Sequence, residues 1–171
     1  GERRPSQRIR LAYDRISIED CMYKIFLHPK ITVAQAHGYC IGGGLLILTL
    51  CDLAVCADDA VLGHTEQRLG FAGSGIPNMN VLIATVGLKR AMDLLLTGRM
   101  IDGKEAERMG LVNRSVPADK LEEEVDKMAK ALALMPRDGI AIGKATRHLA
   151  YDSMGLTAGV AQGYYSHTMF T

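Results

Sequence analysis

Residues Ile31 to Asp52 read ITVAQAHGYCIGGGLLILTLCD. Ile31 to Ala36 is short, apolar and β-branched at its start, which predicts a buried strand. Gly38-Tyr39-Cys40-Ile41-Gly42-Gly43-Gly44 follows, and then an unbroken apolar run from Leu45 to Cys51. The natural parse is a strand, a glycine turn and a buried helix. Leu53 to Ala57 reads as a second buried strand, and Ala60 to Gly63 as a third, short one. The chain is therefore α/β around this segment.

Working outward, Ser6 to Leu27 has helical character, strongest in its second part, and His28-Pro29 ends it. The glycine density of Gly70-Phe71-Ala72-Gly73-Ser74-Gly75-Ile76-Pro77-Asn78 predicts a loop. Val81 to Val86 and Lys89 to Leu96 read as two short helices around Gly87. Asp102 is placed to cap the next helix, with Glu105 three residues on and Gly110 at its stop. Leu111 to Val116 reads as a strand, and Asp119 with Glu122 repeats the capping spacing before a long helix. On that helix Leu121, Val125, Met128, Leu132 and Met135 form an apolar stripe, while Glu123–Lys127 and Asp126–Lys130 pair on the wet side. Helices from Gly139 to about Met154 and from Leu156 to Phe170 complete the pattern. There are no repeats. Two regions are expected: an α/β core over 1–115 and a helical region over 116–171.

The chain has 171 residues, close to one domain at roughly 100–200 residues each. It is 48% hydrophobic and 23% charged, the composition of a folded globular protein. Its formal charge of +1 argues against a broad field for nucleic acid or a membrane surface. Leu45 to Ala57 is very apolar, but Asp52 interrupts it and it is too short to span a bilayer. The four cysteines (Cys21, Cys40, Cys51, Cys56) show no disulfide-framework or zinc spacing and read as buried, reduced thiols. The basic start leads into no apolar signal region. A cytoplasmic, non-membrane protein is the expectation.

Two features carry chemistry. Consecutive glycines at a strand-to-helix junction admit a substrate to the backbone where a Cβ would collide. The helix start also offers free N–H groups and a dipole that favours negative charge, as an oxyanion needs. Tight packing of helix on strand selects glycine as well. The second feature is Glu66, just beyond a short strand in Gly63-His64-Thr65-Glu66. Half-buried, its pKa would rise and it would shuttle a proton near neutral pH; as an exposed loop residue it would do nothing. His64 could orient Glu66 or sit on the surface, and the surface is the expectation.

Other patterns are weaker. Gly38 to Gly44 is not G-x-G-x-x-G, and Gly139 to Ala145 lacks the length and the Ser/Thr of a phosphate loop. Gly73-Ser74-Gly75 lacks the spacing of a nucleophile elbow. Arg3, Arg4, Arg8, Arg10 and Arg15 suit either anionic phosphates or a solvated face. His28, His37, His148 and His167 show no ligand spacing, and no metal is indicated.

Taken together, the chain resembles the enoyl-CoA hydratase/isomerase (crotonase) superfamily. Ile31 to Asp52 resembles its strand–GGG–buried helix signature. LTGRMIDGKEAERMGLVNRSV, Leu96 to Val116, resembles a second signature leading into a "GLV" strand. His64-Thr65-Glu66 lies at the interval expected of the family's second catalytic glutamate. The resemblance covers the chain from residue 20 onward.

It implies a partial spiral of ββα turns with a C-terminal helical region that makes trimer or hexamer contacts. It implies lyase or isomerase chemistry of fatty acid metabolism on an unsaturated coenzyme A thioester, the coenzyme being part of the substrate and no separate cofactor being needed. Gly43 would supply one N–H of the oxyanion hole, and Glu66 would be the acid/base at the α or γ carbon. Gly42, Gly44, Leu46, Gly73 and Ser74 would line the substrate site. Thioester hydrolysis, decarboxylation and a non-catalytic or RNA-binding role are the alternatives.

Three departures from the family pattern stand out. Nothing before residue 20 resembles the strand and loop of the other oxyanion donor, and the family's C-terminal tail is absent after Thr171. The chain is thus expected to be the central and C-terminal part of a longer protein. Leu46 stands where a hydratase carries its first glutamate. A 1,3 double-bond shift needs only one base, so Leu46 with Glu66 tilts the chemistry toward isomerisation.

Overall fold

The computed structural model describes residues 5–70 and 78–170. Helix α1, Gln7–Asp14, is capped by the Ser6 side chain, which accepts the Ile9 N–H. It runs on through a wider π-helical stretch, Arg15–Met22, into α2, Tyr23–Phe26. Strand β1, Val33–Ala36, and strand β2, Tyr39–Ile41, then lead into α3, Gly43–Leu50. Strands β3, Leu53–Ala57, and β4, Val61–Gly63, repeat the two-strand pattern.

A 3₁₀ turn at Glu66–Leu69 follows, and beyond the undescribed segment come α4, Met79–Val86, and α5, Leu88–Thr97. Next are β5, Met100–Ile101, α6, Gly103–Met109, and β6, Arg114–Val116. The chain closes on α7, Leu121–Ala133, α8, Arg137–Ser153, and α9, Leu156–Phe170.

The described strands form two three-stranded sheets. One has order β1-β3-β6 and is wholly parallel; in the other β2 and β4 are parallel and β5 adds antiparallel to β4. The apolar run after the glycines lies between them. Leu45 and Leu48 of α3 join Val55, Cys56, Leu62, Leu82 and Leu94 in the main core, and Leu46 and Leu50 turn to a second cluster with Phe26, Val81 and Leu156. Each fully buried leucine contributes about 1.5–3 kcal/mol. A third cluster, Ile18 with Val160 and Tyr164, seats the first helical segment on α9. There Asp14 Oδ2 accepts the Thr168 hydroxyl at 2.7 Å, and His167 Nδ1 lies 3.0 Å away.

Several local expectations hold for physical reasons visible in the structure. Asp102 caps α6, its Oδ1 accepting the Glu105 N–H at 2.7 Å, and Gly110 ends the helix at φ +82°. Glu123–Lys127 and Asp126–Lys130 pair on α7 at 2.9 and 2.5 Å.

Others are corrected. Only Arg114–Val116 of the expected Leu111–Val116 strand is extended. Leu111 and Val112 instead direct their N–H groups back to Ala106 O as the chain leaves α6, and they are buried. Asp119 caps nothing: it sits within a 3₁₀ turn, Ala118–Lys120, and α7 has no side-chain cap. Glu122, Glu123 and Glu124 instead meet the positive end of the α7 dipole. Cys40 and Cys56 are buried thiols, but Cys51 is half-buried and Cys21 exposed. Among the described residues no helix is long and apolar enough to cross a membrane.

Asp52, the charge that interrupts the apolar run, has a buried partner. Lys144 on α8 is 1% exposed, and its ammonium lies 2.6 Å from Asp52 Oδ2 and 2.7 Å from Lys30 O. The same carboxylate oxygen accepts the Thr32 N–H and hydroxyl at 2.7 and 2.9 Å. Burial alone pushes Asp52 upward, but Lys144 and Thr32 outweigh it and hold the carboxyl below its usual range. This arrangement fastens α8 to the β1–β3 side of the fold.

Candidate functional site

The candidate site is assembled by strand register. Strands β2 and β4 pair in parallel with Ile41 opposite Gly63, so residues just beyond both strand ends emerge side by side. Gly42 and Gly43 leave one strand, and His64, Thr65 and Glu66 leave the other. The Gly42 N–H donates to Gly63 O at 3.2 Å and extends the pairing by one step. β5 runs close against Gly63: a Cβ there would lie 3.0 Å from Arg99 O, a tight contact that glycine avoids.

Gly42 turns with φ +55° and ψ −116°, a conformation suited to glycine. A Cβ there would stand 2.7 Å from Glu66 Oε1, so the carboxylate lies directly against the turn. The steric demand falls on Gly42 alone among the three glycines. Cβ atoms on Gly43 and Gly44 would meet only Met22 Cε at 3.7 Å and Cys40 Sγ at 3.8 Å, which are ordinary contacts. Gly43 is the first residue of α3, and its N–H has no acceptor within the helix. The positive end of the α3 dipole therefore lies beside the Glu66 carboxylate.

Glu66 is neither an exposed loop residue nor a group with a raised pKa. Its side chain is 31% exposed, and Oε2 accepts a hydrogen bond from His64 Nδ1 at 3.1 Å. Burial pushes the carboxyl up, but the His64 hydrogen bond and attraction, together with the N–H groups of Glu66 and Thr65, outweigh it. The carboxyl is held below its ordinary value. Glu66 is therefore ionised at neutral pH, the state in which a carboxylate can accept a proton.

The expectation for His64 is also corrected: the residue is 3% exposed. Of the two roles the sequence left open for His64, the structure has the one in which it contacts Glu66.

The other site residues are placed as follows. Leu46 packs with Phe26, Leu50, Val81 and Leu156 one turn into α3. Thr49, on the next step of that helix, donates to Leu46 O at 2.9 Å and accepts the Asn78 amide, tying the start of α4 to α3. Gly73 and Ser74 lie outside the described residues. Arg15 pairs with Glu19 at 3.0 Å on an exposed surface.

The structure thus brings together a glycine turn at a helix start and a carboxylate placed just beyond the neighbouring parallel strand. A family model described as Enoyl-CoA hydratase/isomerase matches residues 7–170. The chain belongs to that family, with the crotonase fold and its C-terminal helical region.

A Thermus thermophilus protein named as an enoyl-CoA hydratase is 36% identical over 144 residues, covering 84% of this chain and 56% of that protein. The structure of a probable enoyl-CoA hydratase from Mycobacterium smegmatis superposes with a TM-score of 0.88 at 27% identity, covering 98% of this chain and 68% of that one. A monofunctional enoyl-CoA isomerase from M. smegmatis superposes with a TM-score of 0.68 at 32% identity, covering 79% of this chain and 63% of that one. The chain spans about half the length of the curated relatives it matches.

Proposed function

We propose that this chain carries the proton-moving part of a site that converts an unsaturated acyl-coenzyme A thioester through an enolate. The observation that supports this best is the Glu66 carboxylate seated against the glycine turn, Oε1 facing Gly42. A thioester oxygen placed at the α3 start would meet the Gly43 N–H and the helix dipole. Both interactions strengthen as negative charge develops on that oxygen. Glu66, ionised at rest, would take a proton from the α carbon and return it to the γ carbon, shifting the double bond by one position.

Hydration would need a second group to activate water, and Leu46 brings no carboxylate to α3. The double-bond shift is therefore the favoured direction, and the likeness to a monofunctional enoyl-CoA isomerase supports it. The exposed apolar residues Ile142 and Leu149 on α8 and Met169 on α9 support contacts with further copies of the chain, in a homotrimer or hexamer. Light scattering on the eluting protein would return a trimeric or hexameric mass, and a monomer would refute the assembly.

The test is turnover of 3-enoyl- and 2-enoyl-coenzyme A by the protein and by Glu66→Gln. The 3-enoyl substrate should be converted, and the amide should slow conversion by about 10²–10⁴-fold. Undiminished turnover by Glu66→Gln would refute Glu66 as the acid/base.

A further inference from the structure

We propose that His64 is a positioning residue for Glu66, donating its Nδ1–H to Oε2 so that Oε1 is the oxygen presented to the glycine turn. The inference rests on the enolate reading above and deepens it by distinguishing the two carboxylate oxygens. Oε2 lies 3.1 Å from His64 Nδ1, whereas Oε1 is the atom that a Gly42 Cβ would meet at 2.7 Å. A carboxylate free to rotate would exchange these oxygens; a donor fixed on one of them stops the rotation.

The donor is itself immobilised. His64 leaves the end of β4, whose Gly63 is paired with Ile41 on one side and Met100 on the other. Its side chain is only 4% exposed. Because a carboxylate only accepts, Nδ1 must carry the proton for the contact to exist.

The other nitrogen marks the residue as more than packing. Nε2 is buried and has no hydrogen-bond partner among the described residues. Burying an unpaired polar atom costs about 1–3 kcal/mol. A leucine or phenylalanine would fill the same space without that cost, so the imidazole adds nothing to the core as packing. What it provides is one donor at a fixed place and angle. Preorganised proton-transfer groups depend on such supporting bonds, and a misplacement near 1 Å can cost about 10²-fold in rate.

The experiment compares wild type, His64→Leu, His64→Asn and Glu66→Gln for conversion of 3-enoyl-coenzyme A. Far-ultraviolet circular dichroism confirms that each variant is folded. Asparagine places its amide N–H where imidazole carries Nδ1–H, and leucine has no donor. His64→Leu should lower kcat by about 10–100-fold with KM changed less than about threefold, while His64→Asn returns kcat to within about threefold of wild type. A merely structural role would move both variants alike. In ¹⁵N-histidine spectra of the wild-type protein, the His64 Nδ1 should carry a proton.

Wild-type kcat in folded His64→Leu, equal losses in the leucine and asparagine variants, or an unprotonated Nδ1 would overturn the positioning role while leaving Glu66 in place. Undiminished turnover by Glu66→Gln, or no turnover by the wild-type protein, would overturn the enolate reading and this inference with it.

Discussion

Replacing Gly42 by alanine tests the turn geometry on two independent scales. The backbone there has φ +55° and ψ −116°, so any Cβ carries a strain of about 1–3 kcal/mol. At about 2–4 °C per kcal/mol for a chain of this size, Tm should fall by roughly 2–12 °C. The new methyl carbon would also lie 2.7 Å from Glu66 Oε1. The carboxylate must then retreat by about 0.7 Å to reach ordinary contact, loosening its bond to His64. For the proposed reaction, a displacement of that size at Glu66 predicts a fall in kcat of about 30–100-fold.

Gly110→Ala is the control. It adds a Cβ at φ +82°, where the nearest atom, Thr85 O, is 3.9 Å away. It should cost about 1–2 kcal/mol of stability and leave kcat alone. Thermal melts and steady-state rates on both variants decide the matter. A Gly42→Ala protein that melts low but turns over at the wild-type rate would refute the claim that Glu66 works against this turn.

Lys144→Met should cost about 2–4 kcal/mol in a urea titration, because it leaves the half-buried Asp52 carboxylate with only the longer, more exposed contact to Arg147 at 4.0 Å. Asp52 is held below its usual value, so its contribution is complete at neutral pH and is lost as pH falls through that lowered value. Without Lys144 the carboxyl rises, and acid unfolding should begin at a higher pH than in wild type. Gly103→Ala should fail to reach the native Tm, since its Cβ would collide with Ala57 O and lie 2.8 Å from Ser115 Oγ. For the proposed reaction, Glu66 is the base and its pKa is depressed. The acid limb of the kcat/KM profile should therefore fall below the ordinary glutamate range; a limb near neutrality would contradict its ionised state.

Much of the front of the molecule was legible because its signals are local. The glycine turn before an unbroken apolar run predicts α3, and the side chain of Asp102 reaches only three residues to cap α6. Glu66 was legible as a candidate from its place just beyond a strand. Its ionisation was not, because that depends on His64, whose burial is set by the sheet.

Strand β5 was missed because two residues carry no periodicity; Met100–Ile101 is extended only because β4 lies beside it. The partner of Asp52 lies 92 residues away on another helix. A charge within an apolar run announces that a partner is needed, but not which residue supplies it. The demand for glycine was read as belonging to the whole triplet, whereas the contact that imposes it comes from Glu66 onto Gly42 alone.

The pairing of Ile41 with Gly63 has a consequence for how such a protein can diversify. The distance between turn and carboxylate is measured out in peptide units, and peptide units are the same whatever side chains they bear. Substitutions along either strand that keep the pairing leave that distance untouched, so pocket walls can be remodelled freely. Adding or deleting one residue between Gly42 and Gly63 is different if it slips the pairing: each step along a strand is about 3.3 Å, longer than any hydrogen bond. Proteins built on this arrangement can change what they bind by substitution, while length changes are confined to places where they leave this pairing in register.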